Sequence, residues 1–214
     1  VAVNRIFDAA AAECLLKPGM FVEVIAAPAF TAEAVEALKT RPAWKASVRL
    51  VEVPPGDPWS PTAGLELRSV AGAMLAQRPD ETPDDPAAWQ VVTQEAPAAD
   101  LTQPLDFAFT MVRRLTSNAI AVCQGTSLVG AGVGQTSRVD AVRIALEKAG
   151  DRARGGVLAS DAFFPFPDSV DLIRQAGSAA IIQPGGSKRD PAGIAAANAA
   201  SLPMGFTTRR TSRH

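Results

Sequence analysis

The chain has 214 residues, 47% hydrophobic and 20% charged, which suits a packed globular protein and excludes a disordered one. A net charge of -1 removes any broad attraction to nucleic acid or to an anionic membrane. No apolar run approaches the roughly 18–20 residues of a membrane span. Residues 1–5 (VAVNR) read as a strand already under way, not as a signal peptide, and the missing initiator Met is expected of a piece of a longer chain.

Strands and helices alternate along the chain. Residues 1–4 read as a short strand, and the Ala-rich 7–16 as a helix stopped by Pro18-Gly19. FVEVIA at 21–26 reads as a buried strand holding one charge, Glu23. Thr31 caps a helix through Lys39, and 47–53 alternates as a strand. Residues 54–61 form a Pro- and Gly-rich loop, and 65–70 return as a strand. Two polar connectors, 78–86 and 95–103, mark the subdomain boundary.

The second half is more regular. Residues 105–115 read as a helix with Phe107, Met111 and Leu115 on one stripe. Strands at 119–123 and 127–131 are joined by a hairpin-like turn. A helix follows at 137–148, with Ser137 and Asp140 as a loose capping box and Gly150 as its C-cap. Strands at 156–159, 179–183 and 205–208 alternate with helices at 169–176 and 191–199. The expected fold class is α/β, with a sheet between helices that the opening hairpin makes mixed.

Cys14 and Cys123 are the only cysteines, which fits a reducing cytosol and structural roles. The single histidine is His214. Zinc-protease and zinc-deaminase motifs need internal His or clustered Cys, so no metal site is expected.

Four places can carry chemistry. The run GAGVGQTSR (130–138) leads glycine-rich backbone into a helix N-terminus, where free N–H groups, the helix dipole and Arg138 favour an anion. The alternative is a tight strand-to-helix turn. SDAFFPFPD (160–168) follows a strand with three Phe in four residues, able to flank a flat heterocycle beyond a strand's carboxyl end. Core packing of the Phe and N-capping by Asp168 are the structural alternatives. QPGGSKRD (183–190) follows a buried strand, and its backbone donors, Ser187 and Lys188 could hold a carboxylate or carbonyl. A solvated turn is the alternative there. The C-terminal TTRRTSRH (207–214) carries three arginines that either fray or reach an anion.

SNAI at 117–120, GAGVGQTSRVDAVRIALEKAG at 130–150, VLASDAFFPFPDSV at 157–170 and AIIQPGGSKRD at 180–190 resemble consecutive signatures of the AICAR formyltransferase domain family. VAVNR at 1–5, FVEVIAAP at 21–28 and LRSVAGAMLAQ at 67–77 are similar as well. The resemblance implies two cytidine-deaminase-like subdomains without zinc, the remainder of the first at 1–104 and the second at 105–214. It implies transfer of a formyl group from 10-formyltetrahydrofolate, as co-substrate, to AICAR in IMP biosynthesis, by a cytoplasmic homodimer without nucleic-acid or membrane partners. Substrate-binding positions carry over to Glu23, Asn118, Arg138, Phe163 and Arg210. Folate-binding positions carry over to Val139, Pro165, Phe166, Asp168, Ser187 and Lys188.

No catalytic residue carries over. The family's Lys-His pair belongs to a KHxNP-type motif upstream of Val1, and His214 cannot replace it. The ending TRRTSRH also departs from the family's more apolar one. Two readings follow. The chain is the C-terminal part of a formyltransferase, inactive alone, or it is a stand-alone nucleotide- or folate-binding module without catalysis.

Overall fold

The structure, a computed structural model, describes residues 1–53, 65–77, 84–164 and 167–213. The loop expected at 54–61, part of the 78–86 connector, and Pro165, Phe166 and His214 lie outside them. The chain forms two compact units, Val1–Pro79 and Asp80–His214.

In the first unit, α1 (Ala9–Leu15) starts at Asp8, whose carboxylate accepts from Ala11 N. Helix α2 (Ala32–Thr40) is capped by the Thr31 side chain, as expected. Strands β1 (Val24–Ala27) and β2 (Arg49–Glu52) pair in parallel. Residues 1–4 add a single bridge, Ala2 to Ala26, and not a strand. Phe7, Ile25, Leu38 and Trp44 lie in this unit's core. β3 (Glu66–Val70) and β4 (Ala73–Gln77) form a hairpin that sequence reading did not find. Its turn uses positive φ at Ala71 (43°) and Gly72 (83°), without the usual Asn-Gly signal.

The second unit is built on a mixed six-stranded sheet. Its strands are β5 (Gln90–Val91), β6 (Ile120–Gln124), β7 (Ser127–Gly132), β8 (Val157–Ser160), β9 (Ala180–Gln183) and β10 (Met204–Phe206). Their spatial order is β5-β10-β9-β8-β6-β7. β8, β9 and β10 run parallel, whereas β6 is antiparallel to both β7 and β8. One face is covered by α3 (Thr102–Val112), through Leu105, Ala108, Phe109 and Val112. The stripe expected from Phe107, Met111 and Leu115 only flanks that core. The other face is covered by α4 (Arg138–Ala149), α5 (Asp168–Gln175) and α6 (Asp190–Ala199), around Ile120, Leu158, Ile173, Ile181 and Met204.

The two units divide earlier than the 104/105 boundary proposed from sequence. The reason is local: β5 pairs with β10, and Trp89 stacks edge-on against Phe109, so residues before α3 join the second unit. The expected capping box of α4 does not form. Ser137 makes no side-chain cap, and Asp140 instead pairs with Arg143 at 2.6 Å. Asp168 is the first residue of α5, with Pro167 at the cap position. Gly150 ends α4 with φ 55°, as its C-cap role requires.

Among the described residues, no helix is long and apolar enough to cross a membrane. No group of three or more His, Cys, Asp or Glu able to hold a metal is present among them either.

Candidate functional site

Sheet direction gathers the site. Ile120, at the start of β6, stands beside Gly132 at the end of β7 and Ser160 at the end of β8. β9 and β10 run parallel to β8, so they end on the same edge. Residues 117–119, 133–138, 160–164, 183–190 and 207–213 therefore all leave or enter the sheet at one edge. Open α/β sheets bind ligands beyond the carboxyl ends of their strands.

At the centre of that edge lies a buried polar cluster. Arg138, in the first turn of α4, forms an ion pair with Asp161 just after β8. Their side chains are 7% and 0% exposed. The Arg138 Nη1 group also donates to Ala119 O (3.2 Å) and Ser160 Oγ (3.1 Å), and Nη2 donates to Asn118 Oδ1 (2.8 Å). Asp161 accepts further from the Ser117 hydroxyl (2.5 Å) and from Ala119 N (2.8 Å). Asn118 Nδ2 donates to Gln135 O at 2.8 Å. The C-terminal segment closes the cluster: Thr211 N donates to Asp161 O (3.2 Å) and Ser117 N to Arg213 O (2.7 Å).

Burial acts to raise the Asp161 carboxyl. The Ser117 hydroxyl, the Arg138 charge and its N–H, and Ala119 N outweigh that, holding the carboxyl below the usual carboxylate range. The acidic partner of Arg138 is thus Asp161, whereas Asp140 pairs with Arg143. Asp161 has that role because the β6–β8 pairing sets Ser160 beside Ile120 and the β6–β7 pairing sets Gly132 there too, on the edge from which the chain enters α4.

The structure brings Asn118 and Arg138 into direct contact. Phe163 is half-buried two positions after Asp161, while Phe164 belongs to the core and its N–H donates to Gln183 Oε1 at 2.8 Å. Val139 is half-buried in the first turn of α4, and Asp168 is exposed. Ser187 is half-buried and Lys188 exposed. The backbone donors of this loop already have a carboxylate: Gly186 N (2.7 Å) and Ser187 N (3.0 Å) donate to Asp190 Oδ2. Arg210 is exposed and donates from Nε to Ser212 Oγ at 3.1 Å. Glu23 is exposed just before β1, in the first unit. Pro165 and Phe166 lie outside the described residues.

Sequence reasoning missed Asp161, Ser117, Asp190 and Thr211. Asp161 stood in the SDAFFPF run, and its signal was a carboxylate at the end of an apolar strand, where burial demands a cation. Among the described residues, the buried oxygens Thr211 Oγ1 and Asp190 Oδ1 have no hydrogen-bond partner. A separate concavity of about 130 Å³, lined in part by Trp89, Val91, Pro97, Leu105 and Ile182, contains none of the residues selected from sequence.

Residues 1–148 match the family model described as AICARFT/IMPCHase bienzyme. The chain belongs to this family. It is 46% identical over its full length to the bifunctional purine biosynthesis protein PurH of Rhodopirellula baltica, covering 40% of that protein. The PurH proteins of Streptococcus thermophilus and Prochlorococcus marinus are each 44% identical, again across the whole chain, which covers 41% and 40% of them. The chain thus spans about 40% of the length of these curated relatives. A RibD structure from Acinetobacter baumannii is 17% identical, with a TM-score of 0.36 over 50% of this chain and 35% of that one. That likeness is too slight to carry an argument.

Proposed function

We propose that the chain is the C-terminal portion of an AICAR formyltransferase, which transfers a formyl group from 10-formyltetrahydrofolate to the 5-amino group of AICAR in IMP biosynthesis. Family membership supports the reading. The observation that carries it is the Asn118–Arg138 pair, two residues selected from sequence and joined at 2.8 Å on the ligand-binding edge of the sheet.

In this reading Arg138 and Asn118 hold AICAR, with Arg138 on its phosphate at the N-terminus of α4. Glu23, Phe163 and Arg210 complete the substrate contacts. The folate lies along Val139, Pro165, Phe166, Asp168, Ser187 and Lys188, and no metal takes part. Formyl transfer removes a proton from a weakly nucleophilic amine and stabilises an oxyanion. This chain supplies binding and orientation; the proton-transfer groups come from the rest of a longer cytoplasmic enzyme, which works as a homodimer.

Arg138→Lys tests the reading. It keeps a cation beside Asp161 but loses the planar fork that grips phosphate. AICAR binding, measured by calorimetry on the full-length enzyme, should weaken by about 1.5–3 kcal/mol, the usual worth of a hydrogen bond to a charged group. Folate binding should change much less. Unchanged AICAR affinity in a folded variant removes Arg138 from the substrate site.

A further inference from the structure

Asp161 is the buried partner of Arg138, and the formyl-transfer reading gives it no role. Its carboxylate is fully buried and accepts from Ser117 Oγ, Ala119 N and Arg138 Nη1. Its backbone oxygen accepts from Thr211 N. Four separate segments of chain, at 117–119, 138, 161 and 211, therefore meet at this one residue.

A buried ion pair is weak evidence for stability, because desolvating both charges offsets most of the Coulombic gain. Apolar residues of similar volume would fill this space at little cost. The position of the pair, at the sheet edge where ligands bind, gives it a different use.

We propose that Asp161 is a positioning residue for anion binding: it clamps one side of the Arg138 guanidinium so that the other side stays fixed and available to a nucleotide phosphate. The substrate identity rests on the AICAR reading above; the clamp itself does not. A guanidinium has five N–H donors in a rigid fork. The Nη1 group is used by Asp161, Ala119 O and Ser160 Oγ, and one Nη2 hydrogen by Asn118 Oδ1. Among the described residues, that leaves Nε–H and the second Nη2–H without a partner. Donors held in place before the ligand arrives lose little freedom when it binds.

The clamp makes a counter-intuitive prediction. Asp161 neutralises Arg138, so simple charge counting says that removing the carboxylate strengthens anion binding. Positioning says the reverse. Asp161→Asn keeps the size of the side chain and releases the guanidinium.

Two measurements on this chain decide the matter. The first is the ¹⁵N NMR spectrum of the arginine side chains. In the unsubstituted protein, the Arg138 Nη groups should exchange slowly with solvent and rotate slowly; in Asp161→Asn they should do neither. The second is calorimetric titration with AICAR, in which Asp161→Asn should weaken binding at least 10-fold. Ser117→Ala, which keeps both charges and loses one hydrogen bond to Asp161, serves where Asp161→Asn does not fold. It should weaken binding a few-fold and speed Arg138 exchange. Tighter or unchanged AICAR binding in folded variants overturns the proposal, as does an Arg138 guanidinium that stays rigid without Asp161. If the unsubstituted chain does not bind AICAR, the substrate reading fails on that count, and the NMR measurement alone decides whether Asp161 is the clamp.

Discussion

The charge on Asp161 has a consequence for stability as well as for binding. Its carboxyl titrates below the usual carboxylate range in the folded protein, despite burial that acts in the other direction. A depressed folded value contributes stability above the unfolded value of about 3.9, and that contribution is lost as pH falls through the folded value. Asp106 works in the opposite sense: burial, and then the charge of Asp84, raise it, with Arg113 offsetting part of the effect. Urea unfolding followed by circular dichroism from pH 6 to pH 3 should show a steep loss of stability below about pH 4. Asp161→Asn should be less stable at pH 6 and show a shallower loss in acid. Parallel pH profiles for the two proteins would mean that Asp161 titrates normally. Burial pushes the Cys123 thiol up to about 12, so it stays protonated and unreactive. At this scale the sequence singles out Arg138 and Asn118, which the structure brings together, but not Asp161, because a partner 23 positions away depends on strand pairing that no local pattern encodes.

Among the elements, the contact between β7 and α4 is the tightest and rests on glycine. A Cβ on Gly132 would lie 2.0 Å from Ala141 O, and one on Gly130 would lie 2.1 Å from Ala145 O. Both obstacles are backbone atoms of α4, which cannot move without moving the helix and Arg138 with it. Gly132→Ala should therefore cost about 1–3 kcal/mol, the usual penalty for overpacking a core. A denaturation midpoint equal to that of the unsubstituted protein contradicts this. The glycine run at 130–134 thus has a packing duty beside any role at the anion site, which is the structural alternative read from the sequence. Local chemistry was legible where it is self-contained. The Thr31 cap and the Gly150 C-cap both form where the residues place them. It was not legible where a distant partner competes. Asp140 turned from a cap to Arg143, and the two-residue β5 exists only because β10 lies alongside it.

At the scale of the whole molecule, the order of helices and strands in the second unit, and the mixed sheet between helix layers, follow the sequence pattern closely. The reason is physical: β6, β8 and β9 are almost wholly apolar and buried, and α5 is strongly amphipathic, so burial leaves few alternatives. The catalytic half of the reaction has no such representation. The only histidine is His214, and general acid–base assistance is worth roughly 10²–10⁴-fold. The purified chain, supplied with AICAR and 10-formyltetrahydrofolate, should show no turnover in a spectrophotometric assay. Turnover by a preparation free of full-length enzyme contradicts the division of labour proposed here.

The antiparallel β6 gives the sheet two rims with different contents. The near rim carries Asn118, Arg138 and Asp161, tied to one another by an ion pair and a hydrogen bond. The far rim carries chain reversals at 125–126, 150–156 and 176–179, and the segments that leave β5 and enter β10, where Thr93 and Asn198 bond to backbone N–H groups. Its requirement is backbone conformation: Gly125, Gly150, Gly155 and Gly177 all take positive φ. So long as those turns close, the loops of the far rim can lengthen, shorten or change charge without rewriting the chemistry opposite. A loop changed on the far rim leaves the hydrogen bonds of the near rim in place, because the whole length of the sheet separates the two.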